Sequence, residues 1–187
     1  LPTDLSSLSG CHGVISVGTF SKIIATGLRV GWIHGDPRVI DHVLRMRFDM
    51  GNSPLLHHMI TDFMSSGQLD EHIISMRSIY QEKCNVLARG LRDYCEPYLT
   101  FREPLGGFFM WINLQQGLDP KSVQAAAVEE GLIAPAGHAF FPNQAEMNSR
   151  NIRLAYSWAQ KDDLEEAARR LGRACERVAS GDISTAS

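Results

Sequence analysis

Two hydroxyls, a lysine and an arginine stand close together in Gly18-Thr19-Phe20-Ser21-Lys22 and Gly27-Leu28-Arg29-Val30-Gly31-Trp32. Thr19 and Ser21 can each donate an O–H bond and Arg29 a two-pronged fork. The glycines let backbone approach closely, and the whole donor set suits a phosphate. Ile23, Ile24 and Ala25 would keep the stem of Lys22 against apolar surface. A second candidate lies downstream, where Asn151-Ile152-Arg153-Leu154-Ala155-Tyr156 sets one guanidinium in an alternating, mostly apolar run. Each has a plainer reading. A lysine is most often a solvated surface residue, and an arginine in such a run is most often an edge residue snorkelling to water. Gly106-Gly107 reads equally as a turn entering a strand. His57, His58 and Asp62 include a histidine and an aspartate four apart but suggest no third ligand, so no metal is expected. His138 reads as a loop packing residue, and Trp32 and Trp111 read as core.

The elements that must position these groups follow from periodicity. Residues 13 to 20 and 28 to 34 are β-rich runs on either side of the Lys22 segment. Asp36-Pro37 offers a helix start, and the stripe Val39, Ile40, Val43, Leu44 and Met46 predicts a helix to about Phe48. Gly51-Asn52-Ser53-Pro54 breaks it and caps a short helix through Met64, which Ser65-Ser66-Gly67 ends. From Leu69, the residues Ile73, Met76, Tyr80, Cys84, Leu87, Leu91 and Tyr94 recur at three and four, predicting an amphipathic helix of about 25 residues closed by Pro97. Beyond it we expect a strand over 107 to 114, a helix over 120 to 130, a short strand over 132 to 134 and another over 151 to 156. A last helix carries Leu164, Ala167, Leu171, Ala174 and Val178, with Asp162 and Glu165 as its capping box. Its arginines at 169, 170, 173 and 177 follow Glu165 and Glu166 in the favourable ion-pair order, so that face reads as solvated rather than as a nucleic-acid surface. The polar tail 181 to 187 reads as flexible. The pattern is α/β passing to α+β.

Composition narrows the function. The chain has 187 residues, 44% hydrophobic and 21% charged, enough to bury a core without disulfides or a structural metal. Eighteen basic against 21 acidic side chains leave a net charge of −3, with no basic excess for a phosphate backbone, so nucleic acid is not an expected partner. Cysteines at 11, 84, 95 and 175 have no zinc-type spacing and read as reduced thiols. No apolar run nears the ~20 residues that span a bilayer, so no membrane is expected either. The expected compartment is the cytoplasm, with organellar import left open.

The segment from Thr19 to Trp32 resembles the cofactor-lysine motif of the fold-type I pyridoxal-phosphate enzymes, in the class I/II aminotransferase branch. There S/T-F-S-K-x-x-A-x-G-L-R-x-G-W is a familiar form, and Thr26 stands where many relatives have proline. The resemblance continues in order. Residues 53 to 80 look like the inter-domain helices, and Pro104-Leu105-Gly106-Gly107-Phe108-Phe109-Met110-Trp111 like the P-x-G-G-x-F-x-W strand. Pro135-Ala136-Gly137-His138-Ala139-Phe140-Phe141 looks like the P-G-x-x-F segment, and the Arg153 run like the strand that holds the substrate carboxylate.

The resemblance implies the C-terminal part of a pyridoxal-phosphate-dependent transferase fold. Residues 1–68 would be a remnant of the cofactor-binding large domain, 69–97 a connecting helix and 98–180 a small α+β domain. It implies a Schiff base between Lys22 and pyridoxal 5'-phosphate, with Thr19, Ser21 and Arg29 on the phosphate and Arg153 and Gly107 on the substrate. Lys22 would be the catalytic acid–base. The implied activity is amino transfer between an amino acid and a 2-oxo acid by a homodimer, with Phe108 and Phe140 suggesting an apolar side-chain pocket. In the family, the ring-stacking aromatic and the groups that contact the pyridine lie upstream of the lysine. The chain alone is therefore expected to hold cofactor poorly and to be inactive. Two alternatives share these motifs: another reaction such as β-elimination on the same scaffold, and the effector domain of a MocR-like transcription regulator.

Overall fold

The computed structural model describes residues 14–48, 51–141 and 150–181. Leu1, Cys11 and the tail beyond Gly181 lie outside them. The chain divides after Ser75 into two compact units, and the division falls within a long helix.

In the first unit, β1 (Ile15–Thr19) and β2 (Gly31–Gly35) form an antiparallel hairpin whose ladder ends at the pair Thr19 and Gly31. The loop between them contains two single 3-10 turns, Phe20–Lys22 and Thr26–Leu28. The second strand starts later than the sequence suggests. Leu28 belongs to the second turn, and Arg29 is left-handed (φ 52°, ψ 31°), which no strand residue can be. Helix α1 (Pro37–Met46) begins as expected, with the Asp36 carboxylate accepting from the Arg38 N–H and proline in the first turn. Helix α2 (Pro54–Ser65) follows. Trp32, expected in the core, is 43% exposed. Its indole lies over Gly18, where an added Cβ would fall 2.2 Å from the ring, and a two-stranded hairpin buries little more than what lies against its own backbone.

Helix α3 (Gln68–Cys95) runs 28 residues and enters the second unit, where its apolar stripe is buried at Cys84, Leu87, Ala88, Leu91 and Cys95. That unit holds an antiparallel sheet, in the order β3 (Leu99–Phe101), β4 (Phe109–Leu114), β5 (Asn151–Ala155). Side chains alternate across it. Met110, Ile112 and Leu114 of β4 and Ile152 and Leu154 of β5 point into the core shared with α3, α4 (Pro120–Glu129) and α5 (Lys161–Ser180). The opposite face carries Phe109, Trp111 and Arg153, with Trp111 directly across from Arg153.

Two expectations fail here for local reasons. Residues 132 to 134 are not a strand, because the Leu132 N–H turns back to the Ala127 carbonyl to finish α4, and pairing begins only at Ala136, which bridges to Ile152. The capping box of α5 is made by Gln160 and Asp163, not Asp162 and Glu165, since the helix starts at Lys161. Its arginines pair as expected within the helix, Arg169 to Glu165 at 2.8 Å and Arg170 to Glu166 at 3.0 Å. Arg173 and Arg177 instead reach Glu130 and Glu129 at the end of α4. Cys84, Cys95 and Cys175 are buried free thiols. Among the described residues, no helix is long and apolar enough to cross a membrane, and no three metal-ligating side chains converge.

Candidate functional site

The hairpin loop that carries Lys22 is pinned from several sides. The Phe20 N–H donates to Val30 O at 3.0 Å, closing the loop just beyond the last strand pair. Thr19 Oγ1 donates to the same carbonyl at 3.3 Å and accepts from the Ser21 N–H at 3.1 Å, so it caps the turn bearing Lys22. Thr26 Oγ1 donates to Ser21 O at 3.2 Å, tying the second turn to the first. The His72 ring Nε2 lies 2.9 Å from Ile23 O, which makes that nitrogen the protonated donor, and the Phe63 ring stands edge-on to the imidazole at 6.2 Å. The loop is thereby fastened to the first turns of α3.

Among the described residues, three side-chain donors on this loop have no partner. Ser21 is buried, at 9% exposure, yet among the described residues its hydroxyl has no hydrogen-bond partner. Lys22 and Arg29 are exposed cations without an acidic partner there. Arg29 also holds the single left-handed backbone among described non-glycine residues, a strained state that persists where surroundings impose it. A buried hydroxyl and two cations on one loop, none partnered among the described residues, are a donor set that fits an anionic group such as a phosphate. The Thr19 hydroxyl differs: its one proton is directed to Val30 O, so it serves the loop itself and reaches a phosphate only by giving up that bond.

The second cluster lies in the other unit, on the outer face of β4 and β5. Arg153 is half-buried, its N–H donating to Pro135 O at 3.0 Å, and its guanidinium has no acidic partner among the described residues. The carbon of that guanidinium lies 4.1 Å from the Phe109 ring centroid and 3.7 Å from that of Phe140. Phe140 belongs to a 3-10 turn, Gly137–Phe140, that sits tightly on the sheet. A Cβ at buried Gly137 would fall 2.6 Å from Asn151 Cβ and 3.0 Å from the Trp111 ring, so glycine is what admits the turn. Asn151 is held in turn by its amide, which donates to the Asn113 side chain and to Ile112 O at 3.4 Å.

Gly107 lies just before β4 with φ +95°, a conformation that disfavours any side chain. The Tyr156 hydroxyl donates to Gly107 O at 2.8 Å, and the Tyr156 N–H donates to Phe108 O at 3.1 Å, so the end of β5 clamps this loop. Burial pushes the Tyr156 phenol up to about 12, with Cys84 adding to the shift, and it stays a neutral donor. Phe108 packs edge-on against Tyr80 at 5.2 Å, while Phe140 covers Arg153.

Sequence reasoning missed His72, Phe109 and Tyr156. His72 is 49 residues from its partner, and nothing local marks it. Phe109 was legible in principle: with Met110, Ile112 and Leu114 facing the core, period-two alternation puts Phe109 and Trp111 on the opposite face.

Known proteins share this architecture. The crystal structure of LysN, the α-aminoadipate aminotransferase of Thermus thermophilus, complexed with N-(5'-phosphopyridoxyl)-L-leucine, aligns with a TM-score of 0.80 at 27% identity. The match covers 90% of this chain and 43% of that one, so the fold is part of a pyridoxal-phosphate transferase fold. Aromatic-amino-acid aminotransferase 1 of Thermococcus litoralis is 29% identical over 84% of the chain and 38% of its own length. The HTH-type transcriptional regulator YdfD of Bacillus subtilis is 28% identical over 96% of the chain and 37% of its own length. Residues 2–171 match the family described as aminotransferase class I and II, and the chain belongs to that family. It spans about two fifths of the length of these relatives.

Proposed function

We propose that the protein containing this chain is a pyridoxal-phosphate-dependent aminotransferase that moves an amino group between an amino acid and a 2-oxo acid. The observation that carries the reading is the loop at Lys22, which carries a buried serine hydroxyl and two cations, none with a side-chain partner among the described residues. When bound there, pyridoxal phosphate supplies an aldehyde that captures amines and a ring that takes up the electron pair left at the substrate Cα. Ser21 and Arg29 hold the phosphate, and Thr19 keeps the turn in shape for them. With the cofactor held there, Lys22 Nζ would be the group that moves a proton at the substrate Cα, general acid–base work of about 10²–10⁴ in rate. The pinned loop keeps that amine from wandering, since Ile23, its neighbour, is tied to His72. By the family resemblance, Arg153 would pair with the substrate carboxylate and Gly107 would contact the substrate.

The same proposal includes a homodimer and the division into a large-domain remnant, a connecting helix and a small domain. Both rest on the family resemblance. Its cytoplasmic setting rests on the free, buried thiols. A second reading is favoured by the match to YdfD: the chain as an effector-binding domain of a regulator, in which Lys22 loads the cofactor for sensing.

The full-length protein, supplied with cofactor and a panel of amino acids and 2-oxo acids, is expected to form new 2-oxo acid, and Lys22→Ala is expected to abolish it. Ammonia release without amino transfer would indicate elimination instead. Cofactor binding with no turnover, together with operator DNA binding, would favour the regulator.

A further inference from the structure

Arg153 is held by more than its strand. Phe109 opens β4 opposite Ala155, two positions along β5 from Arg153 and on the same sheet face. Phe140 arrives from the Gly137–Phe140 turn and is braced edge-on by Trp111 at 6.2 Å. Neither ring is a core residue. Phe109 is 42% exposed and Phe140 40%, so burial alone does not account for two phenyl groups meeting one cation. A guanidinium is planar and all its N–H bonds lie in that plane. A ring placed over its carbon covers a face and leaves the in-plane donors open. Shielding from water also strengthens the charge-assisted bonds those donors make. An arginine that merely snorkels to solvent has no use for such a setting.

We propose that Phe109 and Phe140 are positioning residues that fix the plane of the Arg153 guanidinium, so that it receives a carboxylate through two parallel N–H···O bonds. They act through Arg153 and perform no chemistry themselves. The inference rests on the reading of Arg153 as the carboxylate receptor. The primary amide of the same acid, which offers one acceptor and two donors, is the control for that two-bond geometry.

The test titrates 4-methyl-2-oxopentanoate, and separately its primary amide, into the ¹⁵N-labelled full-length protein supplied with pyridoxal phosphate, following the Arg153 Nε–Hε signal assigned by its loss in Arg153→Lys. The acid is expected to bind the wild-type protein and the amide to fail. Phe109→Leu and Phe140→Leu should each weaken the acid by about 2- to 30-fold, the range of an aromatic contact to a cation. Both should also shift the ligand-free Nε–Hε signal as ring-current shielding is lost, and Phe140→Tyr should restore both properties. Because both rings are part-exposed, the leucine variants are expected to melt near wild type. If the leucine variants bind as wild type while Arg153→Lys does not, the inference fails and the receptor reading stands. If Arg153→Lys binds undiminished, or the wild-type protein does not bind the acid, the receptor reading fails and takes the inference with it.

Discussion

Replacing Gly137 by alanine tests how the Arg153 shelf is built. The added Cβ would fall 2.6 Å from Asn151 Cβ, about 0.8 Å inside ordinary contact, and 3.0 Å from both Asn151 O and the Trp111 ring. None of these is a flexible tip. Asn151 is fixed in β5 opposite Asn113, its side chain is bonded to that residue, and Trp111 stands against Phe140 and Phe141 at 6.2 and 5.8 Å. The turn must therefore lift off the sheet. Overpacking of this kind costs about 1–3 kcal/mol. For a unit of about 100 residues, each kcal/mol lowers Tm by roughly 4 °C or more, so a loss of about 4–12 °C is expected by calorimetry of the chain. Gly106→Ala is the control, because nothing lies within 4 Å of its added Cβ. It should change stability little, or raise it by about 0.4–1 kcal/mol through the unfolded chain. Equal melting of the two variants would refute the close-packing argument.

Other consequences follow from the same contacts. Gly107→Ala forces a side chain onto φ +95° and should cost about 1–2 kcal/mol in thermal melts, although the position is exposed and nothing crowds it. Tyr156→Phe removes one hydrogen bond to Gly107 O and should cost about 0.5–1.5 kcal/mol, a loss that chemical denaturation would read. Burial pushes the Cys95 and Cys175 thiols from 9.0, and the Tyr156 phenol from 10.0, up to about 12. Above pH 9 the unfolded chain loses these protons first, so it binds fewer than the native state and stability falls with rising pH. Tm should hold up to about pH 9 and decline towards pH 12, and Cys175→Ala should flatten the decline.

The grouping of the candidate loop residues is legible in the sequence because it is local. Ser21, Lys22 and Arg29 fall within one hairpin loop, and a hairpin brings its loop residues together whatever else the chain does. The long helix was legible because apolar residues at three and four can bury only one way. What stayed hidden depends on distant partners or on phase. The Thr19 hydroxyl donates to Val30 O, a carbonyl 11 residues on that the closed hairpin brings to it, and the left-handed Arg29 in the same loop leaves no pattern in sequence. Leu99–Phe101 is too short to show alternation. Phe108, just before β4, packs on Tyr80, while its neighbour Phe109 and the distant Phe140 both lie on Arg153, a pairing that no local pattern shows. The Tyr156 clamp on Gly107 joins residues 49 apart and appears only once β5 is paired with β4.

Borohydride reduction of the full-length protein in excess pyridoxal phosphate, followed by peptide mapping, bears most directly on the role given to the loop. A single pyridoxyl group on Lys22, absent after Lys22→Ala, is the predicted result. A protein whose Lys22 peptide emerges unmodified would contradict the account.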